Sequence, residues 1–180
     1  MILGMSTATF TLLHVLISLV GIGSGLVVMY GFLHANRMDR WTQLFLATTA
    51  LTSLTGFLFP NEHITPGIVI GILSMIMLVV AAAVRYGLGM RGLWRPVFVI
   101  TSAIALYFNC FILVVQSFEK VPALHALAPT QKEPPFGITQ LLLLILFVVA
   151  TVFAVRKFHP NSVAAGSRNA SPMSRGDRAA

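Results

Sequence analysis

The sequence predicts an all-α, polytopic transmembrane helix bundle of about five helices, with the N-terminus outside and the C-terminus in the cytoplasm. Of its 180 residues, 57% are hydrophobic and only 9% are charged. A soluble domain usually carries about 25% charged residues. The apolar residues form five runs of about 20 residues each, and the basic residues concentrate in alternate connections between these runs.

The five apolar runs are predicted as helices within one transmembrane domain that covers residues 1–158. No basic residue precedes the first run, and it is longer than the apolar part of a signal peptide, so we interpret it as a retained helix. The second run is the least hydrophobic because it contains several Thr and Ser residues. The predicted helices cover approximately residues 10–33, 41–59, 65–86, 96–118 and 138–158.

The distribution of basic residues predicts the orientation. With the N-terminus outside, the cytoplasmic segments hold 10 of the 12 Lys and Arg residues. The outer segments hold only Lys120 and Lys132, each beside a glutamate. An excess of basic residues on the cytoplasmic side orients membrane helices. The alternation also favours an odd number of spans, because omission of one run would destroy it.

Two segments outside the runs differ from ordinary loops. Residues 119–137 contain four prolines and a short apolar stretch, so we expect an interfacial segment on the outer face, helical around Ala123–Leu127. Residues 159–180 are rich in Ser, Ala, Gly and Arg without an apolar period, which predicts a disordered cytoplasmic tail.

A resemblance rests on three stretches of the chain. These are TGFLFP at residues 55–60, ITPGIVIGILS at residues 64–74, and the segment PALHALAPTQKEPPF after the fourth helix. Together they resemble a family of small uncharacterised bacterial integral membrane proteins over roughly residues 12–158. The resemblance implies a bacterial cytoplasmic (inner) membrane and implies nothing about substrate, cofactor or catalytic residues.

Several function classes are disfavoured. The net charge of +7 arises from residues at the ends of apolar runs rather than from a basic patch, so we expect no nucleic-acid partner. The single cysteine, Cys110, lies within an apolar run and excludes an intramolecular disulfide. No charged residue lies deep in a run, which disfavours ion-coupled transport and intramembrane hydrolysis. The chain is more consistent with a non-enzymatic protein than with an enzyme, and no catalytic residue is assigned.

The fourth run carries a polar stripe, defined as Ser102, Asn109 and Gln116, which recur every seven residues. Amide side chains in hydrocarbon need hydrogen-bond partners, and we expect the hydroxyl groups of the second helix to supply them. One interpretation of the polar stripe is a set of interhelical hydrogen bonds. The other interpretation is the wall of a hydrated path for a small solute.

The first run places His14, Ser18, Gly21 and Gly25 on one helical face. Gly21 and Gly25 form a small-xxx-small motif, and Gly67-x-x-x-Gly71 repeats the motif in the third run. Small residues let helix backbones approach closely. We interpret the glycines as packing positions, although His14 could also mark a site on the packed face.

Three histidines are assigned to the outer face. His14 lies near the outer end of the first helix, His63 follows the second helix, and His125 lies in the interfacial segment. Imidazole groups can bind haem or a transition metal. However, their spacing matches no known metal or haem motif, so no cofactor is predicted. The competing interpretation is that these histidines are interfacial side chains that donate and accept hydrogen bonds.

These features leave three hypotheses. The first is a non-enzymatic accessory or scaffold protein whose partners are the lipid bilayer and either a second copy or another membrane protein. The second is a small-solute transporter or channel that uses the polar stripe. The third is a membrane redox protein that holds haem or a metal through His14, His63 and His125.

Overall fold

The computed structural model describes residues 2, 4–60, 65–90 and 92–158. Within these residues the chain contains helices and no strand, which confirms the all-α prediction. A π-helical turn, Ala83–Leu88, continues α3 directly. The six α-helices are α1 Thr7–Leu33, α2 Asp39–Phe57, α3 Pro66–Ala82, α4 Trp94–Lys120, α5 Pro122–Leu127 and α6 Pro134–Lys157.

Helix starts follow the local sequence. The Ser6 hydroxyl accepts a hydrogen bond from the Thr9 backbone N–H at 3.1 Å and caps α1. Thr65 caps α3 by accepting from the Ile68 N–H, and Pro66 follows it, where a missing N–H costs nothing. Prolines also stand in the first turns of α5 and α6. The short helix α5 lies where the interfacial segment is expected to be helical.

The fourth helix lies at the centre of the bundle. It packs against α1, α3, α5 and α6, while α2 packs against α1 and α3. Its fully buried side chains include Phe98, Val99, Ala105 and Leu106. The Cys110 thiol is buried there and forms no disulfide, so it serves as a small apolar side chain of the core.

The chain passes through the depth of the bundle five times. Four helices are long and apolar enough to span a membrane, namely α1, α3 with its π-helical turn, α4 and α6. The threonine-rich α2 is less hydrophobic, but its 19 residues reach about 28 Å. It begins beside Arg85 at one end of the bundle and ends with Thr55 beside His14 at the other. The prediction of about five helices is therefore confirmed.

Close helix approach depends on glycine at three positions. A Cβ on Gly25 would lie 2.5 Å from Leu106 Cδ1 and 2.8 Å from Phe45 Cδ2, so this glycine makes room for two neighbouring helices. A Cβ on Gly21 would meet the Thr48 hydroxyl at 3.3 Å, and one on Gly71 would meet the Phe57 ring at 2.8 Å. The packing interpretation agrees with the structure for Gly21, Gly25 and Gly71. It does not hold for Gly67, where an added Cβ would meet only the Thr65 hydroxyl of its own helix cap at an ordinary 3.7 Å.

Some sequence expectations concern residues outside the described ranges. His63 and its loop, Arg91, and the predicted disordered tail at 159–180 all fall there.

Substitution of Gly25 with leucine should destabilise the bundle by about 1–3 kcal/mol, because an overpacked core must shift to accept new atoms. Gly23 is the matched control, since its added Cβ would meet nothing within 4 Å. Thermal unfolding of both variants in detergent tests this. Equal midpoints for Gly25→Leu and Gly23→Leu would show that α1 is not closely packed at Gly25.

Candidate functional site: polar groups within the bundle

The middle of the polar stripe forms an interhelical hydrogen bond. The Asn109 amide nitrogen on α4 donates to the Thr49 hydroxyl on α2 at 3.1 Å. Thr49 is fully buried. This is the type of partner expected from the sequence, a hydroxyl of the second helix. The bond joins α4 to the helix with the lowest hydropathy among the long helices.

The two ends of the polar stripe behave differently. Ser102 is buried, and its hydroxyl has no hydrogen-bond partner among the described residues. Gln116 is exposed and donates to the Glu119 carboxylate of its own helix at 3.4 Å. A seven-residue repeat drifts by about 20° per repeat around an α-helix. The polar stripe therefore does not follow a single helix–helix interface from end to end.

His14 joins α1 to α2 near one end of the bundle. Its Nδ1 lies 2.7 Å from the Thr55 hydroxyl oxygen, and its ring packs edge-on against Phe59 with centroids 5.3 Å apart. Gly56 also lies beside the imidazole, since an added Cβ would be in ordinary van der Waals contact with its Cε1 at 3.6 Å. The shared face of His14, Gly21 and Gly25 is thus part of the α1–α2 interface.

The three candidate metal-binding histidines are not brought together among the described residues. His14 lies between α1 and α2, whereas His125 is exposed on α5, which packs against α4. His63 lies outside the described residues. The described part of the chain contains no group of three His, Cys, Asp or Glu side chains that could hold a metal ion.

Two glutamines that sequence reasoning missed connect α4 to the chain that follows it. The Gln140 amide on α6 donates to the Phe111 carbonyl at 3.3 Å, and the Gln131 amide donates to the Val115 carbonyl at 3.1 Å. Phe118 and Phe136 pack edge to face beside them, with centroids 5.4 Å apart. The one indication in the sequence was that Gln140, an amide side chain, lies near the start of the fifth apolar run and would need a hydrogen-bond partner there.

Glu133 closes the turn that precedes α6. Its carboxylate accepts hydrogen bonds from the Thr130 hydroxyl at 2.8 Å, the Thr130 N–H at 3.2 Å and the Lys132 N–H at 3.1 Å. Partial desolvation acts to raise the pKa of Glu133, but the hydrogen bonds outweigh it and hold the pKa below its usual value. Gln131 adopts a left-handed backbone conformation within this turn, with φ of 58°.

Charged groups link the helices at the opposite end of the bundle. The Arg85 guanidinium lies 2.6 Å from the Asp39 carboxylate, and the Arg85 side chain is only 7% exposed while that of Asp39 is 55% exposed. Arg85 also lies over the Phe98 ring, 5.7 Å from its centroid. Arg95 of α4 donates to the backbone carbonyl of Phe158 at the end of α6.

The fold and these polar contacts define a multi-pass α-helical membrane protein. Four of its described helices are long and apolar enough to span a membrane, and the interior His14, Asn109 and Gln140 side chains bond from one helix to another. Comparison with known proteins finds no matching family model, no matching curated protein and no matching solved structure.

Replacement of Asn109 with leucine should cost about 0.6 kcal/mol, and at most about 2 kcal/mol, because such interhelical bonds in membranes are individually weak. A double-mutant cycle with Thr49→Val, followed by thermal or chemical unfolding in detergent, isolates the coupling between the two side chains. Strictly additive effects of Asn109→Leu and Thr49→Val would contradict the direct bond.

The Glu133 turn should loosen in acid. Because the pKa of Glu133 is depressed in the folded protein, its stabilising contribution is present above the pKa of an unfolded glutamate, about 4.3. That contribution is lost as the pH falls through the lower, folded-state pKa. Hydrogen exchange, corrected for intrinsic rates, should show protection of the Thr130 and Lys132 amides falling across this range.

The variant Glu133→Gln provides the control for this titration. It keeps the shape of the side chain but removes its charge, so the Thr130 and Lys132 amides should be less protected at neutral pH and should show little further change in acid. Equal pH profiles for the wild type and Glu133→Gln would exclude Glu133 as the titrating group.

Proposed function

We propose that this chain is a non-enzymatic accessory or scaffold protein of the bacterial cytoplasmic membrane, which binds another membrane protein through its lipid-facing helices. The observation that carries the proposal is that the interior polar side chains form hydrogen bonds between helices. His14, Asn109 and Gln140 each bond to a neighbouring helix. Side chains committed to joining helices suit a protein whose interior is structural and whose partner binds outside.

The placement of charge supports the same proposal. All described Asp, Glu, Lys and Arg residues lie at the ends of the helices or between them. Proton pumps and ion-coupled transporters usually keep an ionisable group within the membrane. The charged groups at the Arg85 end hold helix ends together, as the Asp39–Arg85 pair does, which is a structural role.

The proposed orientation puts the Arg85 end of the bundle in the cytoplasm. Of the Lys and Arg residues in the described ranges, six lie at that end and two at the other. The larger group comprises Arg37, Arg40, Arg85, Arg95, Arg156 and Lys157. In a Cys110→Ala background, Lys132→Cys should react with an impermeant thiol reagent in intact cells, and Lys157→Cys should not. The reverse labelling pattern would invert the orientation.

The partner surface is proposed to lie on α6. Among the described elements this helix packs mainly against α1 and α4, and it exposes a broad row of Leu, Ile, Val and Phe side chains. A photoreactive amino acid at Leu146, which is 63% exposed, should give one adduct of defined mass in cells. The matched control is Phe147, which is 8% exposed and should crosslink only within the chain.

The same photoreactive residue at positions on other lipid-facing helices distinguishes contact with a protein partner from contact with lipid. Leu12 on α1 and Val79 on α3 are as exposed as Leu146. Contact with lipid alone would give the same diffuse products at all three positions, and this outcome would contradict the scaffold proposal. A discrete protein adduct at Leu146 and not at Val79 would support it.

A further inference from the structure

Two fully buried serines depart from a pattern that most hydroxyls of the long helices follow, and the buried Thr52 hydroxyl is likewise without a partner among the described residues. Most Ser and Thr hydroxyls in the long helices donate to a backbone carbonyl three or four residues earlier, as membrane helices allow. Those that do so are Thr11, Ser18, Ser24, Thr42, Thr48, Thr55, Thr101, Ser117, Thr139 and Thr151. Ser74 and Ser102 are each only 2% exposed, yet their hydroxyls have no partner among the described residues.

Both serines face the junction of α2, α3 and α4. Ser74 is a buried residue of α3, and among the described elements α3 packs mainly against α2, α4 and its own π-helical turn, so its buried side faces those two helices. Ser102 lies one turn after Phe98, which contacts Arg85 of the turn after α3. It also precedes Asn109, which bonds to α2, by two turns.

Ser74, Thr49 and Asn109 also lie at similar depths. Asp39, Arg85 and Phe98 meet at one end of the bundle. Thr49 is ten residues from Asp39 along α2, Ser74 is eleven from Arg85, and Asn109 is eleven from Phe98. At 1.5 Å per residue, each lies about 15–17 Å from that end. Ser102 is only four residues from Phe98 and therefore lies nearer that end, at about 6 Å. We call Thr49, Ser74 and Asn109 the interior polar cluster.

The interior polar cluster has unused hydrogen-bonding capacity of both kinds. The Thr49 hydroxyl accepts from Asn109, so its own proton remains to be donated. The Ser74 hydroxyl can donate and accept, and the hydrogen bond described for the Asn109 side chain is the one that its amide nitrogen donates to Thr49. Buried polar groups are normally satisfied by protein or by ordered water.

We propose that the interior polar cluster binds one or more small neutral molecules that both donate and accept hydrogen bonds, either water or a small polyol. A bound hydroxyl group would accept from Ser74 or Thr49 and donate to the Asn109 carbonyl. Ions are disfavoured because the nearest charged groups, Arg85 and Asp39, lie about 15 Å away and already pair with each other. The site lies within the bundle and is separate from the proposed partner surface on α6.

The direction in which Ser74→Ala shifts the unfolding midpoint tests whether the interior polar cluster holds a bound molecule. If a bound molecule uses the Ser74 hydroxyl, Ser74→Ala removes one of its partners and should lower the unfolding midpoint in detergent by about 2–4 °C. The matched control is Ser24→Ala, because Ser24 is equally buried but its hydroxyl is satisfied by Val20 and Gly21 of its own helix. Ser24→Ala should change the midpoint less than Ser74→Ala.

An empty site predicts the opposite sign. Removal of a buried hydroxyl that has no partner relieves a desolvation penalty, so a midpoint for Ser74→Ala that equals or exceeds that of Ser24→Ala overturns the proposal.

A crystal structure of the wild-type protein in a lipidic phase tests the site without any variant. Density within hydrogen-bonding distance of Ser74 Oγ and of a second member of the interior polar cluster is expected. A second structure from crystals soaked in glycerol separates the two sources. A single-atom peak that does not change in glycerol identifies water, and an extended peak only after soaking identifies a polyol. No density in either structure overturns the proposal.

Discussion

The bundle depends on one constraint, which is that a polar group inside hydrocarbon has no water to bond and must find its partner within the protein. The central position of α4 meets much of this requirement. Asn109 donates from α4 to α2, while Gln140 and Gln131 donate to backbone carbonyls of α4. Because each bond in a membrane is individually weak, the arrangement is held by several such bonds together with the glycine-mediated contact of α1 with α2 and α4.

The two ends of the bundle are closed by different chemistry. At one end, the Asp39–Arg85 pair links α2 to the turn after α3, and Arg85 also covers the Phe98 ring. At the other end, the links are aromatic or uncharged, as in the contact of Phe10 with Phe59 and the His14–Thr55 hydrogen bond. Some of the basic residues at the first end therefore connect helices in addition to lying at the membrane boundary.

The sequence predicted features that depend on neighbouring residues and missed those that depend on distant ones. Helices were predictable because hydropathy is a local property, and the hydroxyl partner of Asn109 was predictable in type because α2 is rich in threonine. Gln116 could not be placed correctly, since a small rotation per repeat turned it outward. The partners of Gln140 and Gln131 are backbone carbonyls, which every residue carries, so no sequence pattern distinguishes them.

The low hydropathy of α2 has a consequence for how the protein is made. A nascent segment leaves the translocon for lipid according to its own apolar content, and the threonines of α2 give it little tendency to do so alone. Its buried residues Phe45 and Thr49 contact α1 and α4, which are synthesised before and after it. We therefore expect α1 and α2 to enter the bilayer as a hairpin, with α2 held at the translocon until α4 emerges. The order of synthesis would then be part of what allows so polar a helix to reside in the membrane.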